Sequence, residues 1–216
     1  MSSSILQNTE SVISLIRQFD IDIYGFAKLT NLKGIPTGIP DIGKEYFKQF
    51  PYAILLGVQW RKFGNNTSGE FADLFLEKAA LKLSNYVMEE RGFSSLVIHP
   101  EDEFDQKKRI GLLSLKVLAK AAGLGWQGRS LLTVSPKYGP LHRLIGILTD
   151  MPLQTNEPIQ NQCGECRDCV DQCPVSALTY VEFDDHPENR EDVLDITVCL
   201  GDNACTVCIE SCPWLR

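Results

Sequence analysis

All eight cysteines of the chain fall between residues 163 and 212, and their spacing is its most specific chemical signal. CGECRDCVDQCP, residues 163–174, reads CxxCxxCxxxCP, and CTVCIESCPW, residues 205–214, repeats CxxCxxxCP. Tetrahedral zinc also takes four thiolates, but its usual sequence form is two separated CxxC pairs. A turn with a cysteine at every third position instead brings three thiolates onto three irons of one 4Fe-4S cubane. The cysteine before the proline is carried onward to another cluster. One such motif therefore requires a second, and Cys205, Cys208 and Cys212 supply it. Zinc, or a purely structural role, is the competing reading. Two clusters in series favour passage of electrons over a staple, for which one would do.

The remaining thiols follow from the crossed arrangement of a ferredoxin-like two-cluster module. Cys163, Cys166, Cys169 and Cys212 form one ligand set; Cys173, Cys199, Cys205 and Cys208 form the other. Cys199 departs from a plain repeat, because five residues separate it from Cys205 where two are expected. The crossing also accounts for the position of the second motif near the end of the chain, since Cys212 must fold back beside the first three ligands.

Charge divides the 216 residues unevenly. Residues 1–155 carry 18 Lys and Arg against 15 Asp and Glu; residues 156–216 carry 3 against 13. This break, within the Pro-, Gln- and Asn-rich stretch MPLQTNEPIQNQ (151–162), predicts two domains, 1–155 and 156–216, joined by an exposed connection. An acidic, cysteine-rich surface suits a basic redox partner protein and is a poor one for nucleic acid, whose phosphates need clustered Lys and Arg. The opening MSSSILQNTESV lacks the features of an export signal, and the longest apolar run, YAILLGV (52–58), is far short of the roughly 20 residues that span a bilayer. The expectation is a cytoplasmic protein with no membrane partner. There, cysteines serve as metal ligands more readily than as disulfides, and the sequons at Asn65 and Asn66 carry no meaning.

The elements that must position the cysteine module lie in the first 155 residues. Apolar residues at 5, 12, 13, 16 and 19 predict an amphipathic helix. IDIYGFAKL, PYAILLGVQW and SSLVIHP read as strands, and GEFADLFLEKAALKLSNYVMEERGF as a long helix closing at Gly92. Strand and helix alternate, so the N-terminal domain is expected to be α/β (α+β), with helices layered on a sheet. LLSLKVLAKAAGL, apolar nearly all round, predicts a buried helix running into GLGWQGRS, and LLTVSPKYGPLHRLIGILTD predicts two strands about a turn from Pro136 to Pro140. Gly123, Gly125 and Gly128 spell GxGxxG, but a helix precedes them where a dinucleotide site requires a strand. Gly123 then caps the helix, and the loop is expected to line a concave pocket. In it Gly125 and Gly128 would admit close backbone approach, Trp126 would offer a flat wall, and Arg129 would hold an oxygen of a small-molecule cofactor or substrate.

AAGLGWQGRSLL, the YGP turn, GILTDMPL, CxxCxxCxxxCP and the closing CxxCxxxCPW, in that order over residues 111–216, resemble the epoxyqueuosine reductase family and its shorter relatives. The resemblance implies a cobalamin-binding domain, related to the core of reductive dehalogenases, joined to a module with two 4Fe-4S clusters that feed electrons to the corrinoid. Family members that reduce epoxyqueuosine carry an acid in a VDS or VDT stretch; here that position falls at about Arg109, with Asp102, Glu103 and Asp105 nearby in a stretch of mixed charge. The chain also stops without the C-terminal extension of longer relatives, which argues against tRNA. His99, His142 and His186 are isolated and read as structural or solvated, and no DxHxxG appears. No catalytic residue is assigned. The resulting expectation is an iron-sulfur oxidoreductase delivering electrons to a cofactor or substrate on the N-terminal domain. The alternative is a ferredoxin-like carrier whose first 155 residues only dock partners.

Overall fold

The computed structural model describes residues 2–32, 41–64, 69–100, 105, 107, 111–201 and 204–215. Four strands build the main sheet: β1 (Ile23–Lys28), β2 (Tyr52–Gln59), β3 (Ser95–Ile98) and β6 (His142–Thr149). Their order is β1-β2-β6-β3, and every neighbouring pair is antiparallel. Strands β2 and β3, joined through a long helix, are therefore parallel to each other with β6 inserted between them, a split βαβ unit. Alternation of strand and helix came from this unit, and the late arrival of β6 makes the sheet antiparallel.

The helices cover both faces. On one side lie α1 (Ser2–Ile16) and α3 (Glu70–Asn85), the latter continued by a π-helical turn, Tyr86–Glu90; on the other lie α2 (Asp41–Gln49) and α4 (Leu115–Ala121). Side chains of a strand alternate between faces. Ile54, Leu56 and Val58 of β2 accordingly pack with Val12, Ile16, Leu76 and Leu83, whereas Ala53 and Leu55 pack with Phe47, Leu118 and Ala122. A strand buried on both faces reads as an unbroken apolar run, which is why YAILLGV stood out. Among the described residues no helix is long and apolar enough to cross a membrane.

Two expectations need correction. The stretch 151–162 is only partly exposed: Met151 and Leu153 are core residues, Pro152 accepts a bond from Asn8 Nδ2, and Asn156 exchanges two bonds with the backbone of Phe26. Its polar composition concealed a strap laid along α1 and β1. The two strands expected around the Pro136–Pro140 turn do form, as β5 (Thr133–Val134) and β6, but β5 pairs with β4 (Trp126–Gln127) in a small second sheet. Asn65, Asn66, Asp102, Glu103 and Arg109 lie outside the described residues; Asp105 is described and exposed.

His142 opens β6, opposite Gln59, with its Nδ1 3.1 Å from the Gly139 carbonyl. Burial, against the small opposing effect of that carbonyl, depresses its pKa to about 4. The folded state thus favours the neutral ring, and its contribution is complete above the ordinary value near 6.5 and lost as pH falls towards 4. Thermal unfolding should show a decline through this window, worth roughly 3 kcal/mol at most, that is shallower in His142→Gln than in the parent protein.

Candidate metal centre

The two cysteine motifs fold as near copies. Single helical turns, α5 (Asp168–Asp171) and α6 (Val207–Glu210), each follow a residue whose carbonyl takes two bonds. Arg167 accepts from Val170 and Asp171 at 2.8 and 2.9 Å, and Thr206 accepts from Ile209 and Glu210, both at 2.9 Å. Cys173 and Cys212 then donate equivalently, to Val170 and Ile209, each at 3.2 Å. Each turn carries one cysteine, Cys169 or Cys208, with a second three residues before it and a third four residues after it. All eight thiols are half-buried and free of disulfides.

Their electrostatics couple them within and across the two motifs. Burial first, then the thiols of Cys163, Cys208, Cys212 and Cys166, push Cys169 up to about 12. Burial, followed by Cys205, Cys199 and Cys173, pushes Cys208 up to about 11. Cys212 is raised by burial and, in smaller measure, by Cys163 and Cys166, against a lowering bond from the Trp214 backbone. Cys212 thus lies in the field of the first motif and Cys173 in that of the second. Thiols crowded this way resist ionisation, and a bound cationic centre is what would draw off their protons. Among the described residues no three His, Cys, Asp or Glu side chains gather as a single metal ion requires. Donors also face the sulfurs: the Ala177 amide lies 3.3 Å from Cys173 Sγ, and the Trp126 indole Nε1 lies 3.3 Å from Cys163 Sγ.

The GLGWQGRS loop is built differently from its sequence expectation. Trp126 is 0% exposed and Arg129 4% exposed. The guanidinium donates to the Phe183 and Gly164 carbonyls, both at 2.8 Å, and stands 4.8 Å from the Phe183 ring centre. A side chain at Gly125 would strike the Val134 carbonyl, and one at Gly128 would press on Val134 and approach Cys163 Sγ. Among the described residues, Trp126 and Arg129 are thus turned onto the acidic cysteine-rich segment, and Gly125 and Gly128 are packed against Val134. Gly123 does close α4, at φ +67°, and borders a shallow cleft of about 320 Å3 with Asp22, Tyr24, Ser135, Lys137 and Ile159.

Sequence reasoning passed over several participants. Asn161 accepts from the Cys163 amide and donates to the Gln127 carbonyl, which pins the Cys163 backbone. Trp214 meets Trp126 edge-on at 4.9 Å, and its backbone occupies the space that a side chain at Gly139 (φ +60°) would fill. Lys120, lowered to about 8 by burial, pairs with Asp185 of the module. The tryptophan following the second CP motif was the one visible hint.

No family model matches the chain. A curated epoxyqueuosine reductase from Leadbetterella byssophila is 32% identical over 113 residues, 46% of this chain and 36% of that protein. One from Vibrio cholerae is 43% identical over 61 residues, 28% of this chain and 16% of that protein. Over these stretches the chain is similar to epoxyqueuosine reductases. The matched stretch spans little more than a third of those relatives at most. By fold, an epoxyqueuosine reductase solved with an epoxyqueuosine-modified tRNA-Tyr stem loop superposes with a TM-score of 0.71 at 18% identity, covering 97% of this chain and 66% of the other. A reductive dehalogenase, whose structure suggested a mechanism for B12-dependent dehalogenation, gives 0.66 at 18% identity and covers 96% and 31%.

Replacing Arg129 by Met keeps length and apolar contact but leaves the Gly164 carbonyl without its partner. Unfolding measurements should show a loss of about 2–4 kcal/mol, with faster proteolysis between residues 151 and 162.

Proposed function

We propose that this chain is an iron-sulfur oxidoreductase in which two 4Fe-4S clusters carry electrons to an acceptor on the N-terminal domain. The supporting observation is that the first cysteine set meets that domain directly, through Trp126 at Cys163 Sγ and Arg129 at the Gly164 carbonyl. Cys163, Cys166, Cys169 and Cys212 would hold the inner cluster, and Cys173, Cys199, Cys205 and Cys208 the outer one. When bound, the clusters supply one-electron transfer. The protein contributes position: Asn161 fixes the Cys163 backbone, and Trp214 packs edge-on against Trp126 beside it.

A corrinoid acceptor, which the dehalogenase-like fold suggests, would meet a GLGWQGRS loop whose Trp126 and Arg129 are already buried against the cysteine-rich segment. The described cleft is at the small end of small-molecule sites. No step is therefore routed through a corrinoid. The packed loop favours a second reading, an electron carrier that passes its charge to a protein docked on residues 1–155. Binding of cob(II)alamin or flavin by the reduced protein separates the two. Saturable binding supports the oxidoreductase, and none supports the carrier. A structural neighbour was solved with a tRNA stem loop, which tempers the expectation against tRNA; here the net negative module would turn phosphate away, so any such partner would meet the N-terminal domain.

Anaerobically purified protein should contain roughly eight irons and eight labile sulfides per chain, and zinc in their place would overturn the assignment. Cys212→Ser should disturb the cluster held by Cys163, Cys166 and Cys169; damage confined to the other cluster would refute the crossing. With Arg109 at the position where the family resemblance expects an acid, an anaerobic assay on epoxyqueuosine-modified RNA should give little or no turnover.

A further inference from the structure

Trp126 has the features of a device acting on the inner cluster. Its side chain is fully buried, and its backbone is fixed by pairing with Val134. Gly125 lies against the Val134 carbonyl so closely that no side chain fits there, which holds the preceding residue to the same small sheet. Trp214, two residues beyond Cys212, closes on the indole at an interplanar angle of 79°. A buried indole N–H needs an acceptor, and this one points at Cys163 Sγ, 3.3 Å away. The donor comes from the N-terminal domain, whereas the ligand belongs to the cysteine module.

We propose that Trp126 is a positioning residue that raises the reduction potential of the cluster held by Cys163, Cys166, Cys169 and Cys212, by donating its indole N–H to Cys163 sulfur. The inference rests on the two-cluster reading above. On reduction a 4Fe-4S centre gains one electron and one unit of negative charge, shared with its sulfur ligands. A hydrogen-bond donor at a ligand sulfur offsets that charge and stabilises the reduced state more than the oxidised one. Because the donor and the sulfur sit on different domains, the higher potential exists only while the module is seated.

The test is a potentiometric titration of the holoprotein with dithionite, followed by EPR, which reads each cluster separately. Trp126→Phe removes the donor and keeps an aromatic ring. Site-specific replacement by benzothienylalanine keeps the two-ring shape and exchanges N–H for sulfur, so it covers the case in which the phenylalanine variant loses iron. The expected result is a more negative midpoint for one cluster, an unchanged midpoint for the other, and parental iron content. Pulsed EPR of the reduced parent protein should also show coupling to a nitrogen and an exchangeable proton, both absent from the benzothienyl variant. Two intact clusters with unmoved midpoints, or with both midpoints displaced equally, overturn the role of Trp126 and leave the oxidoreductase reading standing. Parent protein without two 4Fe-4S signals overturns that reading and this one together.

Discussion

One guanidinium between two backbone carbonyls holds the molecule's two parts in register. Arg129 is drawn from a domain with a slight excess of positive charge into a module with a large excess of negative charge, and its charge is stabilised there by the Phe183 and Gly164 carbonyls and the Phe183 ring. A buried cation without such partners would cost several kcal/mol. The geometry of the module therefore depends on 164 and 183 being where Arg129 requires them. Gly164 adjoins the first ligand, so fixing its carbonyl also fixes the approach of Cys163.

Hydrophobic burial adds little to these polar and aromatic contacts. The module's described apolar core is small: Leu131 of the N-terminal domain with Phe183 and Val193 forms one cluster, and Ala177, Leu178 and Ile209 are buried elsewhere. Such a core gives limited hydrophobic stabilisation, and small domains of this kind draw on metal binding for folding free energy. Raised thiols point the same way. Burial disfavours ionisation of Cys169, Cys208 and Cys212, which a cationic centre would offset.

Much of this was legible in the sequence where a short-range rule governs. The cysteine spacing read as two overlapping ligand turns because a one-turn helix has one geometry, and the apolar run 52–58 read as a strand because it is buried on both faces. The packing of the GLGWQGRS loop was not legible, for a physical reason. Tryptophan, arginine and glycine are equally suited to receiving a ligand and to receiving another part of the same chain, and nothing local distinguishes a bound phosphate oxygen from the carbonyls of residues 35 and 54 positions away. The pairing of β5 with β4, and the burial of Met151 and Leu153 in a polar stretch, were hidden likewise, since both are settled by partners distant in sequence.

The seat of the module is also a matter of inheritance. Small iron-sulfur units are often pictured as cassettes that can be joined to any neighbour, but here the interface is written in both halves. Trp126, Arg129 and the side-chain-free surface of Gly139 belong to the N-terminal domain, and each is shaped to a feature of the cysteine module: a sulfur, two carbonyls and the Trp214 backbone. Moving residues 156–216 alone onto another protein would carry the ligands and leave their socket behind. The two parts are transferable only as a pair, and substitutions on one side constrain those accepted on the other.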